Sequence, residues 1–139
     1  MIVLDTNVLS ECWRKSPNIQ VLTWLAAQPQ ASLFTTTVVE SEILYGVQLL
    51  ADGARKDALS LAVKAVFNDN LTGHVLTYDR DAARSYAQIA SNRKKMGKPI
   101  SQFDAMIAAV AHSRGATLAT RNVKDFEGCA IQLVDPWAS

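Results

Sequence analysis

Apolar residues along this chain follow two rhythms. Short unbroken or nearly unbroken stretches ("MIVL", "SLFT", "HVLTY", "ATLAT" and "AIQLV") are too brief for helices and read as buried strands. Between them, apolar residues recur every three or four positions. Asp5, Thr6 or Asn7 caps a short helix holding Val8 and Leu9. Ile19, Val21, Leu22, Trp24 and Leu25 mark a second helix that stops before Pro29. From Thr37 a third helix places Val39, Ile43, Gly46, Val47 and Leu50 on one stripe, and Gly53 breaks it. Three further helices are predicted over 58–67, 81–95 and 101–114, with Gly97, Pro99 and Gly115 as stops. After Asp104 the last of these is apolar on every face, which predicts a buried helix.

Strands that alternate with helices imply an α/β fold. The expectation is a three-layer α/β/α sandwich with a mainly parallel sheet. No repeat, low-complexity tract or linker interrupts residues 1–139, so a single domain is predicted. A length of 139 residues is ample for one core. Composition adds little beyond an ordinary globular mix, 49% hydrophobic and 19% charged. Net charge is +1, so any nucleic-acid footprint must be local rather than global. Cys12 and Cys129 lie far apart, outside any metal or redox spacing, and predict two buried, reduced thiols in a cytoplasmic protein. The amino terminus lacks the basic and long apolar regions of a signal peptide. The longest apolar run, "AMIAAVA", is far short of a membrane span.

Open α/β sheets bind ligands beyond the carboxyl ends of their strands. Asp5 directly follows the first strand, and Asn122 follows "ATLAT" after one residue. Glu42 and Asp104 lie in the first turns of helices that start at the same edge of the sheet. Singly, each acid has a structural explanation. Asp5 can be a helix cap. Asp104 completes a capping box with Ser101 in "SQFD". In "TVVE" the same logic makes Thr37 the cap and Glu40 its partner, which leaves Glu42 without a capping task. Together the acids are more specific. Clustered carboxylates raise one another's pKa, and a divalent cation relieves that repulsion. An all-oxygen set suits Mg²⁺ or Mn²⁺. No His–Cys set supports zinc, since His74 and His112 stand alone.

The segments "MIVLDTNVLSE", "TTTVVESEILYG", "SQFDAMIAAVAH" and "LATRNVKDF" resemble the PIN-domain family in order and spacing. Within it the chain is similar to VapC-type toxin ribonucleases of the FitB-like branch. The resemblance covers essentially the whole chain. It implies a metal-dependent endoribonuclease that hydrolyses RNA with a metal-activated water, leaving 5′-phosphate and 3′-hydroxyl ends. It implies Asp5, Glu42 and Asp104 as Mg²⁺ or Mn²⁺ ligands and puts the family's fourth acid at Asn122. Here an amide stands at that position, with Asp125 three residues later either compensating or holding its loop. Thr6, Asn7 and Thr120 resemble polar residues that orient the ligands, although turn and cap roles explain them nearly as well. The resemblance further implies an antitoxin protein as partner, a homodimer, and higher toxin–antitoxin assemblies.

Basic side chains that could hold flanking RNA phosphates are Arg14, Lys15, Arg93 to Lys95, Lys98 and Arg121. Trp24 fits a core pattern, whereas Trp13 and Tyr45 fit core or partner surface. Two other functions compete. A phosphoaspartate phosphatase needs a second acid two residues after the first, and that position is Asn7. A catalytically weak PIN-like module would bind RNA or a protein without cutting, and Asn122 keeps that reading open.

Overall fold

A computed structural model describes residues 1–138. Its centre is a five-stranded sheet in which every ladder is parallel. The strands are β1 (Ile2–Leu4), β2 (Leu33–Thr36), β3 (Val75–Leu76), β4 (Thr117–Ala119) and β5 (Gln132–Val134). Their spatial order is β3-β2-β1-β4-β5. The helices are α1 (Thr6–Glu11), α2 (Ile19–Ala27), α3 (Thr37–Gln48), α4 (Ala54–Ala65), α5 (Arg80–Lys95) and α6 (Gln102–Ser113). The predicted α/β class and its parallel sheet are therefore observed.

The chain leaves β1 toward β2 and β3 on one side, then returns to lay β4 against the other side of β1. That reversal leaves a crevice between the carboxyl ends of β1 and β4. The pairing sets Leu4 against Ala119, so Asp5 and Thr120 emerge side by side. The Asp5 N–H donates to the Ala119 carbonyl at 3.0 Å, which extends the ladder by one rung.

The apolar patterns are buried as expected. Val3 and Leu4 of β1, Leu118 of β4 and Val39, Ile43 and Val47 of α3 lie in one core. In α6 Ala105 and the five consecutive residues from Ile107 to Ala111 are all buried. Burial of the middle of α6 fixes the height of its more exposed first turn, and that turn carries Asp104.

Several boundaries differ from the sequence reading. The cap of α3 is Thr36, whose hydroxyl accepts from the Val39 N–H at 3.0 Å. Thr36 is also the last residue of β2, so strand and cap overlap, and Glu40 falls one place beyond the capping partner's position. Helix α4 starts at Ala54, four residues early, because its first turn "ARKD" is mostly exposed and carries no periodic apolar signal. Cys129 is buried, but Cys12 is only half-buried. Among the described residues no helix is long and apolar enough to cross a membrane.

Candidate active site

Asp5 is the deepest of the expected acids, with 4% of its surface exposed. It is at once the cap of α1 and a member of a wider network. Its Oδ1 accepts from the Thr6 N–H at 2.8 Å, and its Oδ2 accepts from the Thr120 hydroxyl at 2.7 Å. Thr120 in turn accepts from the Asn122 N–H at 3.1 Å and from Asn7 Nδ2 at 3.5 Å. The Asn7 Oδ1 accepts from the Arg121 N–H at 3.3 Å. Thr6, Asn7 and Thr120 thus hold Asp5 and the strand-end loop in one arrangement.

Glu42 projects from the second turn of α3, and its Oε1 accepts from the Thr6 hydroxyl at 2.8 Å. Thr6 therefore bridges the two acids: its N–H serves Asp5 and its side chain serves Glu42. Asp104 sits in the first turn of α6, where its N–H donates to Ser101 Oγ at 3.3 Å, so Ser101 is the helix cap. Glu42 and Asp104 line one hollow together with Ser101, Gln102 and Phe103.

Electrostatics connects the three. The Asp5 carboxyl is raised to about 6, first by burial and further by the negative charges of Asp104 and Glu42. The hydrogen bonds from Thr120 and Thr6 work against the rise without cancelling it. Burial also raises Asp104, with Asp125 adding to the rise, while Ser101 and Arg93 oppose it. All the donors are hard oxygen atoms, the chemistry that fits Mg²⁺ or Mn²⁺. As the side chains are oriented here, no group of three His, Cys, Asp or Glu among the described residues is arranged to hold a metal ion. Glu42 is instead turned onto Thr6.

Residues 2–129 match the PIN domain family. The chain belongs to the PIN-domain family. It is 36% identical over 137 residues to "VapC ribonuclease Y4jK" of Sinorhizobium fredii, covering 99% of this chain and 98% of that protein. It is 35% identical to "Toxin FitB" of Neisseria gonorrhoeae, covering 99% of each. Among solved structures, FitAB bound to an IR36 DNA fragment matches with a TM-score of 0.93 at 35% identity, over 99% of this chain and 96% of that one.

The basic rim of this PIN domain differs in part from the sequence reading. Arg14, Lys15 and Arg55 line a cavity of about 620 Å³ that also takes in Trp13 and reaches Thr6 and Glu42. Arg55 was missed because it lies in the unpredicted first turn of α4. Arg121 is exposed, with its guanidinium 5.1 Å from the centre of the Trp137 ring. Lys94, Lys95 and Lys98 are exposed, but Arg93 is buried on backbone carbonyls and is not a phosphate-binding residue. Its spacing on an amphipathic helix gave no warning, because its carbonyl partners lie up to 34 residues away. Tyr45 is 65% exposed, whereas Trp13 and Trp24 are partly buried against the core. Both histidines are structural. His74 stacks on Phe34, and His112 Nδ1 lies 2.8 Å from Ser85 Oγ.

Glu11 was not singled out in the sequence. It is 3% exposed and accepts from the Asn18 N–H at 2.8 Å and from Arg14 at 3.2 Å. These contacts fold the loop after α1 back onto its helix. The only hint in the sequence was an acid in "SECWRKSPN", ahead of a turn.

Proposed function

We propose that this PIN domain is a metal-dependent endoribonuclease and the toxin of a toxin–antitoxin pair. One observation carries the reading: a buried aspartate at the reversal point of the sheet, charged against Glu42 and Asp104 that share a hollow beside it. Relatives named as a VapC ribonuclease and a FitB toxin support the same chemistry. Asp5, Glu42 and Asp104 would hold Mg²⁺ or Mn²⁺. Such an ion supplies a nucleophilic water at neutral pH and offsets charge on the phosphate. Thr120 and the Thr6 N–H keep Asp5 aimed, and the Thr6 hydroxyl restrains Glu42. Asn122 acts through its N–H on Thr120. Arg14, Lys15 and Arg55 would bind phosphates of an RNA strand leaving the acidic hollow. An antitoxin protein is the proposed partner, supported by the FitAB complex. A homodimer, able to join larger assemblies, acting in the cytoplasm completes the proposal.

The test is cleavage of mixed cellular RNA by the chain purified free of partners. Cleavage should require Mg²⁺ or Mn²⁺, stop with EDTA, and fall at least about a hundredfold in Asp5→Ala and Asp104→Ala. RNA binding without cleavage would replace this reading with a binding module.

A further inference from the structure

Arg93 is a guanidinium 5% exposed at the end of α5, and among the described residues no carboxylate pairs with it. Burying an unpaired charge is costly unless its hydrogen bonds are met. Here they are met by main-chain carbonyls. Nε donates to the Lys98 carbonyl at 2.7 Å, and Nη1 donates to the carbonyls of Asp125 at 2.6 Å and Glu127 at 3.0 Å. The Cys129 sulfur lies 3.6 Å away. A rigid fork of donors can serve several carbonyls at once, which one ammonium cannot do in this geometry. Two separate segments are thereby tied to α5: the loop that enters α6 and the turn Val123–Phe126. Gly128 (φ 79°) lets this segment pack closely on the end of α5, since a Cβ there would stand 3.1 Å from Met96 Cε.

The first tied segment leads to Asp104 and the second carries Asp125. Arg93, Ser101, Asp104 and Asp125 line one hollow. Asn122 is absent from that hollow; it lines an adjoining one with Arg121, Lys124 and Asp135, and Asp125 borders both.

We propose that Asp125 is the fourth acid of the site and that Arg93 is a positioning residue, gripping the Lys98, Asp125 and Glu127 carbonyls so that the Asp125 carboxylate stands beside Asp104. The Asn122 amide then has no ligating role. This rests on the nuclease reading of the site and refines it.

The experiment is calorimetric titration of the whole chain with Mn²⁺ at pH 7, alongside metal-free melting. Asp125→Asn should weaken Mn²⁺ affinity about tenfold without lowering the metal-free Tm. Asn122→Ala should leave Mn²⁺ affinity within about twofold of the parent. Arg93→Lys should weaken it about as much as Asp125→Asn, and the double variant should be no weaker than Asp125→Asn alone, because both act through one carboxylate. Arg93→Gln, which retains a donor for the Asp125 carbonyl, takes its place if Arg93→Lys does not fold. Weakening by Asn122→Ala but not Asp125→Asn would overturn the proposal, as would additive losses in the double variant. If the parent chain binds Mn²⁺ and cleaves RNA while Asp125→Asn matches it, only this inference falls. If the parent neither binds nor cleaves, the nuclease reading falls with it.

Discussion

The two ends of the short helix α1 each carry a buried carboxylate, and the two groups are in opposite electrostatic states. Asp5 at the amino end is raised to about 6 by burial and by two neighbouring acids. Glu11 at the carboxyl end is lowered, chiefly by the Asn18 N–H and then by Arg14. A helix dipole alone would favour the acid at the amino end and disfavour the one at the carboxyl end. The reverse outcome shows that local partners decide. Glu11 is surrounded by donors and stabilises the fold as an anion. Asp5 faces like charge and is strained as an anion, which is the expected condition of a ligand kept for a cation. One carboxylate serves the fold and the other, besides capping α1, is the proposed metal ligand, six residues apart.

The largest expected effect separates these roles by activity. Asp5→Asn should abolish metal-dependent RNA cleavage, at least about a hundredfold, yet stabilise the metal-free protein at pH 7. Removing a charge shifted by about two units is worth about 3 kcal/mol. An amide can accept from only one of the two donors now facing Asp5, which returns about 1 kcal/mol. The balance, about 2 kcal/mol, corresponds to a rise of about 4–8 °C in Tm. Glu11→Gln should do the opposite: Tm falls, and cleavage by the folded protein persists. A fall in Tm for both variants would show that Asp5 is no more strained than Glu11.

The next effect is on pH dependence. The folded pKa of Asp5 lies above its unfolded value of 3.8, so the folded state binds the extra proton between about pH 4 and 6. The stabilisation by Asp5→Asn should therefore be full at pH 7 and shrink toward zero near pH 4. Glu11 has the contrary sign. Its contribution is present above its unfolded value of 4.5 and is lost as pH falls through its lower folded pKa. The penalty of Glu11→Gln should thus be full at pH 7 and fade only below 4.5. Melting curves of the three metal-free proteins from pH 3.5 to 7.5 measure both differences, and parallel profiles would break the contrast.

How much of this contrast could be read from the chain follows from how far each partner lies. Asp5 was legible because a strand that stops on an acid announces itself locally, and the edge rule for parallel sheets supplies its surroundings. The fold was legible for the same reason, since run length separates Met1–Leu4 from the periodic stretch after Thr37. Glu11 was illegible because its burial depends on a loop folding back from Asn18. Arg93 was misplaced because its carbonyl partners come from Lys98, Asp125 and Glu127. The Glu40–Glu42 distinction was argued from the wrong cap, since Thr36 rather than Thr37 caps α3. Thr6, 36 residues away, restrains Glu42.

The smallest effect asks which donor keeps Glu11 an anion. Arg14 forms an ion pair with Glu11 at 3.2 Å, but its side chain is 61% exposed. Solvent screens such a pair, and a long side chain loses entropy to hold it. The Asn18 N–H is fixed by the backbone and is the larger cause of the lowered pKa. Arg14→Gln should therefore shift Tm by no more than about 1–3 °C, less than Glu11→Gln, and the shift should shrink further in high salt. The same substitution should weaken RNA cleavage through KM if Arg14 also holds a phosphate at the groove leading to Glu42. A loss of stability equal to that of Glu11→Gln would mean that the guanidinium, not the turn at Asn18, satisfies the structural carboxylate. The loop beyond α1 would then be held by its charge pair rather than by its backbone.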